Sequence, residues 1–411
     1  MGHQHMHILL VADGRSPITQ AWISALQRIK ARITLLSTYP CPPVAGVDSQ
    51  AYLPVAFSAL SGSQAGNALH KSGQAKRGVS RFRSLLAKLR HHLGPFTLPL
   101  KAGAFRRLVA AVNPDLVHAL RVPFEGMLAS YTPAQVPLVI STWGNDLTLH
   151  APASPWMRAW TRRALRRADG LLSDACRDLR LAPAFGLRAE VPRMFIPGNG
   201  GLDLQRMDSA ILEADPVLNA LLPPVNTPSA GLVLNPRGIR PGYVCNDTFF
   251  QAIPLVLQEM PDLQFACASM AGQPEAGQWV ARLGIEKNVT LLPFLSQESL
   301  WRLFKRADLS ISVTLHDGTP NSLLEAMAAG CLPIAGDIES LRDWITPGVN
   351  GLLVEPRSPQ QLARAILEAM RSPAFRRSAA EKNRALVETR ADQGKLSQQL
   401  KEFYEGFLHR K

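Results

Sequence analysis

The sequence predicts an α/β protein of two Rossmann-like domains facing across a cleft, on three observations. Short apolar runs alternate with helical stretches from end to end, the pattern of parallel sheets covered by helices on both faces. The alternation falls into two sets, parted by the mixed stretch LLPPVNTPSAG at 221–231. The chain of 411 residues, 46% hydrophobic and 19% charged, is also long enough for two separate cores. The expected divisions are an N-terminal domain over 1–203, a linker over 204–230 and a second domain over 231–390. A C-terminal helix over 391–411 is expected to pack on either domain. The cleft between two such domains is the natural ligand site.

Taken in order, the strand-sized run HILLVA (7–12) leads to a helix from Ile18 to Lys30 and a strand ITLLS (33–37). A long basic region follows. Then come a strand at 115–120, a helix at 123–131, a strand PLVIST at 137–142 and an Arg-rich helix at 156–167. The second set starts with strand GLVLN (231–235) and helix 247–259, then strand 263–268, helix 275–283 and strand 288–292. It continues with helix 297–306, strand 309–314, a helix ending at Gly330, strands 331–335 and 351–355, and helix 359–370. LSQQLKEFYEGFLH (396–409) closes the chain as an amphipathic helix.

The longest apolar runs are far too short to cross a bilayer. The opening MGHQHMHILLVA lacks the cationic start and cleavage site of a signal peptide. Five scattered cysteines, odd in number and without a CxxC pair, fit free thiols in a reducing cytoplasm. The charge is one-sided. Residues 1–203 hold 24 Lys and Arg against 10 Asp and Glu, whereas 204–411 hold 21 against 22. No acid falls between Asp48 and Asp115, while Lys71, Arg83, Lys101, Arg106 and Arg107 do. Such a field points to an anionic partner for the first half. Within the basic stretch 71–107, KRGVSRFRSLLAKLRHHLGPF (76–96) mixes cations with Phe82, Leu85, Leu86, Leu89 and Phe96 at helical spacing, which reads either as a helix resting on anionic lipid or as a solvated surface helix. Nucleic acid is disfavoured, since the charge is spread through α/β elements with no recognisable module.

The densest chemistry lies in HDGTPNSLLEAMAAG, 316–330. Ser322 and Glu325 have the spacing of a capping box, and Gly330 stands where a helix ends. Capping leaves Asp317 and the Gly-Thr-Pro-Asn approach unexplained. A helix start fed by a tight turn is a phosphate site, and carboxylates beside it suit sugar hydroxyls.

At these residues the chain resembles glycosyltransferase family 4, retaining GT-B enzymes that use nucleotide-sugar donors. Their E-x(7)-E motif stands here as Asp317-x(7)-Glu325, with EAMAAGCLP behind it. MFIPGNGGLDLQRM and LNPRG upstream resemble further family loops. The resemblance implies that Glu325 binds the donor ribose and that the N–H groups of Ser322, Leu323 and Leu324 hold the diphosphate, with Gly318 and Asn321 in the donor-binding turn. Asp317 would contact the donor sugar, although it is Asp where the family usually has Glu. Arg237 matches the family's diphosphate arginine. Its usual lysine partner is missing, so Arg240 is the candidate substitute, the alternative being a solvated loop arginine. In the first half the resemblance points to Gly14 near the donor and to His118 as a catalytic histidine, but Leu120 stands where many relatives have a second histidine, and the alternative for His118 is a strand residue facing a neighbour. Arg121 and Glu125, close by in sequence, are the candidates to take over acceptor contacts. The resemblance puts Gly144, Asn145 and Asp146 near the acceptor or donor cleft, although a plain turn at 144–146 is equally open.

Two arginines and a helix N-terminus stabilise a leaving diphosphate without a metal, and no D-x-D pair or histidine cluster is found to bind one. No cofactor is expected beyond the donor. The expected activity is retaining transfer from a UDP- or GDP-sugar to a glycan or lipid-linked acceptor, as in cell-envelope or surface polysaccharide synthesis. The expected location is the cytoplasm, peripheral to the inner membrane face. A nucleotide-sugar epimerase on the same architecture is the alternative.

Overall fold

The computed structural model describes residues 5–58, 90–198, 200–222, 231–240 and 242–408. Their contacts form two compact units, one reaching to Gly200 and taking in the last helix from Gln393, the other spanning Gly201–Asp392.

The first unit is built on an all-parallel sheet of β1 (His7–Ala12), β2 (Arg32–Ser37), β3 (Ser49–Tyr52), β4 (Leu116–Ala119), β5 (Leu138–Thr142), β6 (Gly170–Ser173) and β7 (Arg193–Phe195). Its order is β3-β2-β1-β4-β5-β6-β7, so the chain reverses its winding between β1 and β4. Ile8 of β1 pairs with Ile33 on one side and Leu116 on the other. Both faces are covered, which is why β1 reads as one apolar run rather than alternating. Leu9 and Val11 face a core that includes Phe105 and Val109 of α2 (Leu98–Val112) and Leu165 of α3 (Pro155–Arg167). Ile8 and Leu10 face Trp22, Ile23 and Leu26 of α1 (Pro17–Arg28), together with Leu396, Leu400, Tyr404 and Phe407 of the last helix, Gln393–Leu408. That helix therefore packs on the first unit.

The helix expected at 123–131 is not continuous. Pro123 (φ −63°, ψ 121°) and Phe124 (φ 66°, ψ −51°) break it, and one α-turn remains at Met127–Ala129. A bulky residue at positive φ is strained. β3, α2, β6 and β7 were not anticipated, because they are short or lie in basic sequence.

The second unit repeats the plan with β8 (Leu232–Asn235), β9 (Gln264–Cys267), β10 (Val289–Leu291), β11 (Leu309–Ser312), β12 (Leu332–Gly336) and β13 (Leu352–Val354), all parallel, in the order β10-β9-β8-β11-β12-β13. The stretch read as a linker, 204–230, contains two helices, Leu204–Leu212 and Pro216–Leu221, capped by Asp203 and Asp215. Arg302 ties them to this unit through the Ala210 carbonyl at 2.7 Å and Asp215 at 3.4 Å. Residues 373–390 form a long helix that the sequence reading left unassigned.

Candidate functional site

In open parallel sheets ligands bind outside the carboxyl ends of the strands, where the strand order reverses. In the second unit that point lies between β8 and β11. The loop after β8 is shaped by two asparagines that sequence reasoning missed. Asn235 Oδ1 accepts the Arg237 backbone N–H at 3.0 Å, and Asn246 Nδ2 donates to the Gly238 carbonyl at 3.1 Å. Their only sequence signal was the position of Asn235 in LNPRG. Gly238 takes φ 65°, open to glycine at no steric cost.

Arg237 thereby reaches the loop after β11. Its Nη2 donates to Asp317 Oδ2 at 2.6 Å and its Nη1 approaches Ser322 Oγ at 3.5 Å. The paired side chains are 9% and 16% exposed, so the ion pair is shielded but not sealed. Ser340 Oγ holds the Asp317 carbonyl at 2.8 Å, and Asp317 Oδ1 accepts the Gly318 N–H at 3.2 Å. A guanidinium with a carboxylate beside it presents an anion binder next to a hydroxyl acceptor.

The helix Asn321–Ala329 starts at this pair with Pro320 at its N-cap position and no side-chain cap. The capping box does not form: Ser322 lies inside the first turn, and Glu325 turns to Gln297, whose Nε2 donates to Oε1 at 2.8 Å. The N–H groups of Leu323 and Leu324 already reach the Pro320 carbonyl, at 3.0 and 3.4 Å. The anion-binding capacity of this helix start therefore rests on the N–H groups of Asn321 and Ser322, which a first turn cannot bond internally. Glu325 is only 5% exposed. Burial pushes its pKa up to about 7, against the pull of the Trp301 indole and the Gln297 amide. Arg240 is exposed three residues beyond Arg237 and makes no ion pair among the described residues.

The first-unit candidates divide. His118 is fully buried, with Nε2 2.8 Å from Ser141 Oγ and Nδ1 2.9 Å from the Tyr404 hydroxyl. Burial lowers its pKa to about 3. Of the two readings of His118, this geometry matches the strand residue facing its neighbours: both ring nitrogens are spent inside the core. Gly14 is also a packing residue. Its N–H goes to Ser37 Oγ at 3.1 Å, and a Cβ there would stand 2.6 Å from Cys41 Sγ. Asp146 is fully buried and accepts from Arg121 Nη2 and the Val122 N–H, both at 2.9 Å. The Gly144 carbonyl receives Arg177 and Thr148, and the Asn145 carbonyl receives the N–H groups of Leu149 and His150. Residues 144–146 thus form a turn whose acid anchors Arg121. Arg121 and Glu125 line a cavity of about 360 Å³ at the carboxyl ends of β1 and β4. Of the basic stretch 71–107, residues 71–89 lie outside the described residues.

Residues 247–386 match the family Glycosyl transferases group 1, and residues 70–175 match Glycosyl transferase 4-like. An uncharacterized glycosyltransferase of Methanocaldococcus jannaschii is 30% identical over 141 residues, 33% of this chain and 36% of that protein. A D-inositol 3-phosphate glycosyltransferase of Streptosporangium roseum is 31% identical over 96 residues, 23% of this chain and 22% of that protein. The chain thus spans about a third or less of the length of these curated relatives. Among solved structures, sucrose-phosphate synthase from Thermosynechococcus elongatus superposes with TM-score 0.70 at 15% identity, covering 99% of this chain and 100% of that one. Anabaena HepE in complex with UDP superposes with TM-score 0.70 at 18% identity, covering 98% and 100%.

Proposed function

Because the chain is a family 4-like GT-B glycosyltransferase, we propose that it moves a sugar from a UDP- or GDP-sugar to a glycan or lipid-linked acceptor, with retention at the anomeric carbon. The Arg237–Asp317 pair beside Ser322, at the reversal of strand order, carries this reading. On donor binding, Arg237 exchanges Asp317 for the diphosphate, and the released carboxylate accepts hydrogen bonds from the sugar's hydroxyls. Glu325 is assigned to the donor ribose, with Gly318 and Asn321 shaping the turn beside it. The bond from the anomeric carbon to the diphosphate oxygen breaks, and its electron pair leaves with the diphosphate. Arg237, Arg240 and the open N–H groups of the helix start meet that charge without a metal. The acceptor hydroxyl attacks from the same face, and its proton passes to the leaving phosphate. Structures of Anabaena HepE with UDP and with UDP-glucose support a donor of this class.

The basic first unit supports an anionic, envelope-linked acceptor and a peripheral place on the inner membrane face. No helix among the described residues is long and apolar enough to cross a membrane. Leu93, Phe96, Leu100 and Trp156 are nonetheless exposed, and the Phe96 and Trp156 rings meet at 4.8 Å. Lys101, Arg106, Arg107, Arg158 and Arg162 belong to the same two segments, 90–112 and 147–168, which contain no acid. Segments that combine exposed apolar side chains with cations and no acid suit an anionic lipid surface.

A thermal-shift panel of UDP-, GDP- and ADP-sugars tests the donor, and analysis of the product anomer tests retention. Stabilisation by none of them, or turnover unchanged in Arg237→Ala, would sink the site assignment. Full activity in a chelator is expected, and its loss would overturn the metal-free step. Failure to bind anionic vesicles at low salt would remove the membrane part.

A further inference from the structure

The turn that carries Asp317 is braced by the residues that follow β12. Ser340 Oγ donates to the Asp317 carbonyl at 2.8 Å, and the Trp344 indole Nε1 donates to Thr319 Oγ1 at 3.0 Å. The two bonds grip the turn on either side of Gly318. Thr319 and Trp344 are only 5% and 2% exposed, so water competes little for the bond between them. An apolar side chain of similar shape would fill the same space. The indole N–H adds a directional bond to one residue of an irregular turn.

Trp344 is itself fixed from several directions. Its backbone N–H closes a turn onto the Leu341 carbonyl at 3.1 Å. The Arg390 guanidinium lies 4.7 Å over its ring, and Arg390 Nη1 donates to the neighbouring Asp343 carbonyl at 2.6 Å. The Trp344 carbonyl accepts from Asn350 Nδ2 at 2.8 Å. Asn350 is locked in turn to Asn383, a fully buried residue of the helix Pro373–Arg390. Asn350 Nδ2 donates to Asn383 Oδ1 at 2.9 Å, and Asn383 Nδ2 donates back to the Asn350 carbonyl at 2.8 Å. Asn350 Oδ1 is used as well, by the Thr346 N–H at 2.7 Å. A buried polar network bonded in this way stiffens what it touches. One chain of contacts therefore runs from the helix through Asn350 and Trp344 to Thr319.

Asp317 stands two residues from the end of that chain, and its carboxylate pairs with Arg237 at 2.6 Å. A shift of the turn moves both groups. Chemistry that depends on placement loses heavily from displacements of about 1 Å. We propose that Trp344 is a positioning residue of this site: through Thr319 it holds the turn so that the Asp317 carboxylate meets the hydroxyls of the donor sugar. That the turn faces a donor sugar rests on the transferase reading above, whereas the brace from Trp344 to Thr319 stands without it.

The test is isothermal titration with UDP, GDP, UDP-glucose and GDP-glucose, alongside nucleotide release from the two sugar nucleotides. It is run on the wild type, Trp344→Phe, Thr319→Val and the double variant. Trp344→Phe keeps a ring and removes the N–H, while Thr319→Val keeps the shape and removes the hydroxyl. Each should weaken the sugar nucleotide relative to its nucleoside diphosphate by roughly 2- to 10-fold, the scale of one hydrogen bond. Turnover per folded molecule should fall about ten-fold or more. UDP and GDP affinity should be unchanged, since Arg237 and the helix start remain. The double variant should lose no more than the worse single one, because both changes remove the same bond. Tyr404→Phe, which removes a buried hydrogen bond from the first unit, should leave the affinity ratio and the turnover as they are. If Trp344→Phe fails to fold, Thr319→Val carries the test.

A wild type that binds none of these nucleotides would sink the transferase reading and the proposal with it. Normal wild-type binding and turnover, unaltered in both single variants, would overturn the proposal alone. Equal losses for diphosphate and sugar nucleotide, or losses that add in the double variant, would overturn it too, by making Trp344 a general structural support.

Discussion

Replacing Glu325 by Gln should make the protein more stable, and increasingly so as the pH rises. The carboxyl is buried, with its pKa raised from an ordinary 4.5 to about 7. Between those values the folded chain binds a proton that the unfolded chain has released, so wild-type stability falls as the pH climbs through this window. The difference is worth about 3 kcal/mol once the pH exceeds the folded value. Gln is neutral throughout, and its amide oxygen can accept from Gln297 as the carboxylate does. Any fixed packing offset of the variant cancels when the gap between the two proteins is followed with pH. Thermal unfolding of both from pH 4 to pH 8 should show that gap widening by about 3 kcal/mol, or roughly 6–12 °C for a unit of this size. A gap independent of pH would refute a desolvated carboxyl at this position. Activity gives the complementary readout. If Glu325 meets the donor ribose as an ionised acceptor, the more stable Gln variant should turn over donor more slowly. Equal turnover would leave Glu325 as a structural group.

Asp317→Glu lengthens the carboxylate that faces Arg237, so the donor-sugar preference should change while UDP affinity stays; competition assays with two donors check this, and an unchanged preference would leave Asp317 as a turn residue. His118→Gln should cost about 2–5 kcal/mol, since it disturbs the bonds to Ser141 and Tyr404, whereas Tyr404→Phe should cost about 1 kcal/mol. Turnover per folded molecule should survive both changes, and its selective loss would restore a catalytic histidine. With the His118 pKa held near 3 by burial, the unfolded chain takes up the proton first as pH falls below 6.5. The stability it contributes is therefore lost between pH 6.5 and 3, and acid titration of the Gln variant should be flatter over that window.

Much of this protein was legible before any coordinates. The strand runs HILLVA and PLVIST, the alternation with helices and the motif HDGTPNSLLEAMAAG depend on neighbours in the chain, because pleating and helical repeat act over a few residues. They sufficed for two parallel-sheet domains and for the candidates Asp317 and Ser322, whereas Arg237 was reached through the resemblance of LNPRG to a family loop. The expected capping box failed for a local reason of another kind: Pro320 starts the helix earlier and leaves Ser322 inside it. Tertiary structure alone decided which charges are used. Arg237 and Asp317 lie 80 residues apart and meet because β8 and β11 are neighbours in the sheet. His118 was silenced by Tyr404, 286 residues away, which no local pattern foretells. Whether a polar side chain is spent or available depends on what the fold brings against it, and sequence spacing does not report that.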